Sequence, residues 1–221
     1  MPMPNISKPA HLAALDAQSF RALARARLMP EPYVLPDERD GPSDFDLNPG
    51  SRPQTAPALR PAAVLVPVIA GAGLTVLLTQ RTADLPAHAG QIAFPGGKIE
   101  PEDAGPLAAA LREAEEEIGL NRDFVEPLGF MEPYETGTGF LVTPVVAQVT
   151  PGFTLKPDPR EVAGVFEVPL AFLLDEANHR IDTRLWRGSE RRFYAIPHED
   201  RYIWGATAGI IRALWRRLSA Q

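Results

Sequence analysis

The chain contains no cysteine. Disulfides, thiolate nucleophiles and zinc–thiolate centres are therefore excluded. No run approaches the roughly 18 apolar residues of a membrane-spanning helix, so no membrane contact is expected. The first residues lack the charged-then-apolar order of a secretory signal. Together these absences give the expectation of a cytoplasmic protein. Positive charge is also scarce: 22 Lys and Arg stand against 28 Asp and Glu, a formal net charge of −6. That balance argues against a nucleic-acid grip built on broad positive charge. It does not exclude a small anionic substrate, because a bound cation supplies positive charge locally.

The 221 residues, 45% apolar, fit one sizeable domain with length to spare. Eleven of the 24 prolines lie at or before Pro61. Residues 19–28 read as a short helix with Phe20, Leu23 and Leu28 on one side and Arg21, Arg25 and Arg27 outside. Asp16 and the shortness of the stretch favour a docking helix over a basic membrane helix. Residues 30–61 cannot hold a regular element for long. Residues 1–60 are thus expected to be an N-terminal helix and proline-rich arm, and residues 61–221 the folded domain. Within it, residues 62–70 and 74–80 read as a hairpin about Gly71-Ala72-Gly73. Strands are expected at 124–131, 140–149, 162–168 and 192–196, a short helix at 170–174 and a closing helix at 206–218. Strand runs interrupted by helices imply an α/β mixed sheet flanked by helices.

Residues 94–120 carry the chemistry. Gly96 and Gly97 form an expected tight turn whose backbone can approach a metal or a phosphate closely. A helix expected over 103–118 follows, stopped by Gly119. At 3.6 residues per turn Glu113, Glu116 and Glu117 share one face, while Leu107, Ala110, Leu111, Ala114 and Ile118 face a core. Two carboxylates about 5 Å apart repel by roughly 3 kcal/mol at an effective dielectric near 20 and by less than about 1 kcal/mol in water. Charge alone is therefore met by a solvated helix face. A hard divalent cation such as Mg²⁺ or Mn²⁺ turns the crowding into a ligand set. The glycine pair favours the cation, since a solvated helix needs no such turn before it.

The run Arg112-Glu113-Ala114-Glu115-Glu116-Glu117-Ile118-Gly119-Leu120 resembles the second half of the Nudix hydrolase box at every position. The first half departs from it. One extra residue lies between Gly97 and Arg112, and Ala104 stands eight residues before Arg112 where the box has an isolated glutamate. Glu102 and Asp103 are the nearest acids. Leu77-Leu78-Thr79-Gln80-Arg81, leading through Gly90 into Phe94-Pro95-Gly96-Gly97, resembles the signature of the Nudix coenzyme A diphosphatases, extra residue included. Thr82 and Pro86 depart from that signature, which prefers Ser or Ala and Arg there. Trp204-Gly205-Ala206-Thr207-Ala208-Gly209-Ile210-Ile211-Arg212 is similar to the end of that subfamily.

The resemblance implies an α/β/α sandwich and divalent-metal-dependent hydrolysis of coenzyme A or acyl-coenzyme A to 3′,5′-ADP and 4′-phosphopantetheine. Hydrolysis of another nucleoside diphosphate derivative, such as ADP-ribose or a dinucleotide, is the first alternative. A non-catalytic nucleotide-binding module is the second. Glu113, Glu116, Glu117 and the Gly96 carbonyl are the expected metal ligands, and Arg112 is expected to orient them. Glu116 and Arg112 count among the catalytic residues on this reading. The general base is expected outside the helix. Glu161 is favoured, with Glu132 and Glu135 competing. Arg81 at a strand end is a phosphate ligand or a plain exposed arginine, Gly97 is expected to border the substrate, and Gln91 and Phe94 line its pocket or hold the loop. His88 is expected to make a structural hydrogen bond. The 135–139 loop borders the substrate or serves a hairpin turn. The small-molecule substrate is the expected partner. The sequence is compatible with a homodimer and does not fix the oligomeric state.

Overall fold

The computed structural model describes residues 12–33, 40–53, 58–84, 88–186 and 188–220. Its centre is an eight-stranded mixed sheet. Strands β1 (Arg60–Ala70), β2 (Leu74–Arg81) and β3 (Ile92–Ala93) are antiparallel neighbours, and β4 (Gly96–Lys98) pairs with β1. Helix α2 (Pro106–Ile118) follows. Strands β5 (Val125–Phe130) and β6 (Tyr134–Glu135) both pair with β7 (Phe140–Val149), which lies parallel to β1 over ten residue pairs. Strand β8 (Val162–Pro169) covers the outer side of β2.

Period-two alternation sorts β1 between two cores. Ala63, Leu65 and Ile69 face Ala109, Ala110, Ala114 and Ile118 of α2. Ala62, Val66 and Val68 face the opposite side. There they meet α1 (Ala17–Arg27), α3 (Leu170–Leu173) and α4 (Ala206–Ser219). The α/β/α sandwich expected from the sequence is therefore present. A three-stranded antiparallel sheet, β9 (Arg180–Trp186), β10 (Ser189–His198) and β11 (Arg201–Trp204), adds Ile196 and Ile203 to the second core.

The expected elements recur with shifted ends, and several had no counterpart in the sequence reading. The box helix begins at Pro106, not 103, because Gly105 is its N-cap at φ 135° and proline suits the first helical position. The Gly96-Gly97 turn is instead the short strand β4. Strands β9 and β11 had no counterpart: the alternation in β9 runs over six residues with charge at every second position, and β11 has four residues. The N-terminal region docks on the domain. Phe20, Ala24 and Leu28 of α1 and its flank are buried in the second core, and Met29 pairs with Phe130 in both directions (3.0 and 2.8 Å). Among the described residues of 40–53, one 3-10 turn (Pro49–Ser51) is the regular element.

Candidate active site

Helix α2 stops where Gly119 takes φ 67°, a left-handed conformation with Lys156 packed against its Cα. That stop, together with the buried Ala109–Ala114 face, sets the rotation of the helix. Glu117 is thereby turned inward, 5% exposed, while Glu116 stays 60% exposed. Glu117 Oε2 accepts a hydrogen bond from the Gly96 N–H (3.1 Å), and Oε1 lies 3.5 Å from Arg81 Nη1.

The glycines of β4 are required by this proximity. A Cβ on Gly96, at φ 153°, would overlap the Ala63 carbonyl and Val64. On Gly97 it would stand 2.5 Å from the Glu113 carboxylate. The glycine pair therefore lets a strand of the sheet lie directly against the carboxylates of α2.

Burial pushes the Glu117 carboxyl up to about 7, opposed by the Gly96 N–H and the Arg81 charge and reinforced by Glu113 and Glu161. The Glu113 carboxyl is also raised, by burial first, although Arg112 opposes the shift. Glu161 repels both, which brings an acid from the loop before β8 to the two helix acids. That loop is tied to the end of β2. The Thr82 N–H donates to the Glu161 carbonyl (2.9 Å), and Thr82 Oγ1 donates to the Arg160 carbonyl (3.2 Å).

The other two base candidates are engaged elsewhere. Glu132 pairs with Arg217 of α4. Glu135 is buried with Arg52 Nη2 2.6 Å away. The 136–139 segment closes the β6–β7 hairpin, with Gly139 donating to Thr136 (3.1 Å) at φ 82°.

Arg112 organises the solvent side. Its Nη1 donates to both Glu113 and Glu116 (3.0 Å each), and its Nη2 to the Lys98 carbonyl (3.2 Å). Its Nε and Nη2 form a two-point contact with Asp103, at 3.0 and 2.8 Å. The Asp103 carboxyl is held below the usual range, chiefly by Arg112 and then by the Glu100 N–H. Asp103 is 7% exposed, whereas Glu102 and Ala104 are exposed. The carboxylate that meets Arg112 thus stands one residue before Ala104. The compact 100–103 turn, in which Asp103 N–H donates to the Glu100 carbonyl (3.0 Å), aims it inward. Local sequence does not distinguish Asp103 from its neighbour Glu102 in direction.

The remaining candidates take structural positions. Phe94 is buried in the core opposite α2. His88 Nδ1 lies 2.9 Å from Gln91 Oε1. Pro86 lies outside the described residues. Thr207 at the start of α4 donates to the Ile92 carbonyl (2.9 Å), which anchors the approach to β4.

A divalent cation fits this donor set by its chemistry. Glu113, Glu117 and Glu161 carry hard oxygens that repel one another, and burial penalises two of them as anions. Arg81 Nε is buried with no hydrogen-bond partner among the described residues, a donor suited to an anionic ligand. With the side chains as they stand, no three acidic or histidine groups among the described residues are arranged to hold a metal. Glu113 and Glu116 are turned to Arg112, and ligation requires them to leave it.

Residues 59–187 match the NUDIX domain family. Over 155 residues the chain is 44% identical to a protein of Photorhabdus laumondii described as an uncharacterized Nudix hydrolase, NudL, covering 70% of this chain and 83% of the relative. It is 43% identical over 155 residues to the protein of the same description from Escherichia coli K12, covering 70% and 81%. Among solved structures it is similar to a Nudix hydrolase from M. smegmatis, RenU, at 25% identity and a TM-score of 0.43 over 52% of this chain and 73% of that one.

Proposed function

This chain belongs to the Nudix family, and from that premise we propose that it hydrolyses the diphosphate of coenzyme A or an acyl derivative, releasing 3′,5′-ADP and 4′-phosphopantetheine or its acyl form. The observation that carries the hydrolytic reading is the set of mutually repelling carboxylates, Glu113, Glu117 and Glu161, gathered against glycine backbone beside Arg81. The coenzyme A reading rests on the 77–97 segment and the lengthened box.

In this reading Glu113, Glu116, Glu117 and the Gly96 carbonyl hold Mg²⁺ or Mn²⁺. The cation, when bound, neutralises charge on the diphosphate and lowers the pKa of a neighbouring water. Arg112 keeps Glu113 and Glu116 poised beside the site from the solvent side and releases them when the cation binds. Arg81 binds a phosphate oxygen, and Gly97 leaves the backbone open to the substrate. Glu161 takes the proton from water as a new P–O bond forms and the P–O–P bridge breaks. Phe94 supports the loop from beneath.

Glu117→Gln tests the site. Gln keeps an acceptor for the Gly96 N–H, so the fold is expected to persist. Loss of a ligand charge is expected to lower turnover of coenzyme A by more than about a hundredfold. Wild-type turnover in this variant would refute the assignment.

Pro86, where the coenzyme A signature prefers arginine, favours a second reading with ADP-ribose or a dinucleotide as substrate. A panel scored by kcat/KM separates the two. A preference for ADP-ribose of about tenfold, roughly 1.4 kcal/mol of transition-state binding, defeats the coenzyme A reading. Metal-dependent product release from any panel member excludes a purely binding module.

A further inference from the structure

Strand β9 is the outer strand of the β11-β10-β9 sheet, and its main-chain polarity follows from β10. The Arg192 N–H and carbonyl bond the Asn48 side chain (2.9 and 2.7 Å), and the Tyr194 carbonyl accepts from the Gly205 N–H (3.1 Å). Even-numbered residues of β10 therefore direct their main chain away from β9. In an antiparallel pair the two groups of one residue point the same way. Arg191, Phe193 and Ala195 must then bond β9, through their partners Arg184, Asp182 and Arg180. Ile181, Thr183 and Leu185 are left with their N–H and carbonyl groups directed outward along an edge that no described residue pairs.

Such an edge is ordinarily blunted by proline, a bulge or charge of one sign. Residues 180–186 contain no proline, and the β9–β10 register runs without a shift. The large apolar side chains left exposed among the described residues are Tyr33, Ile181, Leu185 and Tyr202. Two of them lie on β9, at 45% and 74% exposure. Tyr202 donates to Asp182 Oδ2 of the same strand (2.5 Å). The charges at the edge are mixed. Arg184 stands across from Arg191 within the sheet, an unfavourable like-charge pair.

The strand is complementary to itself. Antiparallel pairing of two β9 strands about a two-fold axis at Thr183 sets Ile181 against Leu185 of the second copy, and Asp182 against Arg184, each twice. The outward main-chain groups of 181, 183 and 185 meet their counterparts in that register. It covers the exposed apolar side chains and sets each Arg184, which stands across from Arg191 in its own sheet, across from an Asp182 carboxylate of the second copy. We infer that β9 is a homodimerisation edge, joining two copies into a continuous six-stranded sheet. Main-chain hydrogen bonds supply the affinity and the side-chain pattern sets the register.

The absence of cysteine makes the test specific. In a hydrogen-bonded antiparallel pair the two Cα atoms lie about 5.5 Å apart, within the range that a disulfide spans. Thr183→Cys is expected to form a covalent dimer under mild oxidation, seen on a non-reducing gel, while Glu31→Cys on an unrelated exposed site does not. Light scattering over a concentration series should show the wild type moving from 24.1 kDa toward twice that mass. Asp182→Arg places two arginines opposite each other and should abolish the dimer, and the exchange Asp182→Arg with Arg184→Asp should restore it. Circular dichroism separates loss of pairing from loss of fold. A wild type that stays monomeric with no preferential cross-linking at 183 would overturn the proposal. So would a dimer that Asp182→Arg leaves intact in a folded protein.

Discussion

Asp103→Ala probes the least expected part of the site. Arg112 makes five hydrogen bonds: two to Asp103, one to the Lys98 carbonyl and one each to Glu113 and Glu116. Removing Asp103 takes away two of the five and leaves the guanidinium free to swing onto the helix acids. A cation must displace Arg112 from Glu113 and Glu116, so tighter pairing there opposes metal binding. Losing a group that orients metal ligands typically weakens metal affinity about 10–100-fold. The metal concentration giving half-maximal activity is expected to rise by that factor, with a smaller fall in kcat at saturating metal. Asp103→Asn keeps one acceptor and should fall between the two. Glu102→Ala, the exposed neighbour, should behave as wild type. The assay is a Mn²⁺ and Mg²⁺ titration of product release at fixed coenzyme A. An unchanged metal requirement in Asp103→Ala would refute the idea that this aspartate replaces the glutamate missing at position 104.

Gly209→Ala weighs two effects against each other. Alanine favours the helix by about 1 kcal/mol. Its Cβ, however, would overlap the hydroxyl and ring of buried Tyr134, and the hydroxyl donates to Asp44 (2.9 Å). Overpacking costs about 1–3 kcal/mol and a lost bond to a buried acceptor about 1–3 kcal/mol. Net destabilisation of about 1–5 kcal/mol is expected in denaturant unfolding, and a more stable variant would contradict the packing. Burial lowers the pKa of His179, whose Nε2 meets the Leu173 carbonyl (2.7 Å) and whose Nδ1 faces Arg212. The unfolded state then binds the proton more readily, so the contribution of His179 is full above about 6.5 and is lost as pH falls through the lower folded value. Thermal melts of wild type and His179→Gln should diverge below neutrality, the wild type losing more. Arg81→Ala should raise KM for coenzyme A more than it lowers kcat, because its proposed contact is with a phosphate; an unchanged KM would place Arg81 outside the substrate site.

Much of the fold was legible because long periodic runs carry their own signal. Residues 140–149, an apolar stretch of strand length, became β7 with the same ends. The helix with Ile210, Ile211, Leu214, Trp215 and Leu218 on one side became α4. Strands β9 and β11 were missed because Arg180–Trp186 and Arg201–Trp204 are set by pairing with β10, and local composition does not encode pairing. The arm was harder still. Asp44 is held by Tyr134 and Gly137, some ninety residues away, and Asn48 by Arg192. Contacts of that separation leave no pattern in a single sequence.

For the site, the sequence by itself determined which oxygen donors are grouped. The spacing of Glu113, Glu116 and Glu117 on a helix, with glycine before and after, follows from helical periodicity and from the backbone freedom that only glycine has. The tertiary structure decided which of those carboxylates is buried and which acid accompanies them. Glu117 turns inward because the apolar face of α2 fixes the helix against β1 and β4. Glu161, but not Glu132 or Glu135, stands by the pair because the end of β2 holds its loop there. Asp103 meets Arg112 because a turn rotates one residue of the loop inward. Residue type and local spacing sufficed to name the groups, whereas burial and direction depend on elements brought together from distant parts of the chain.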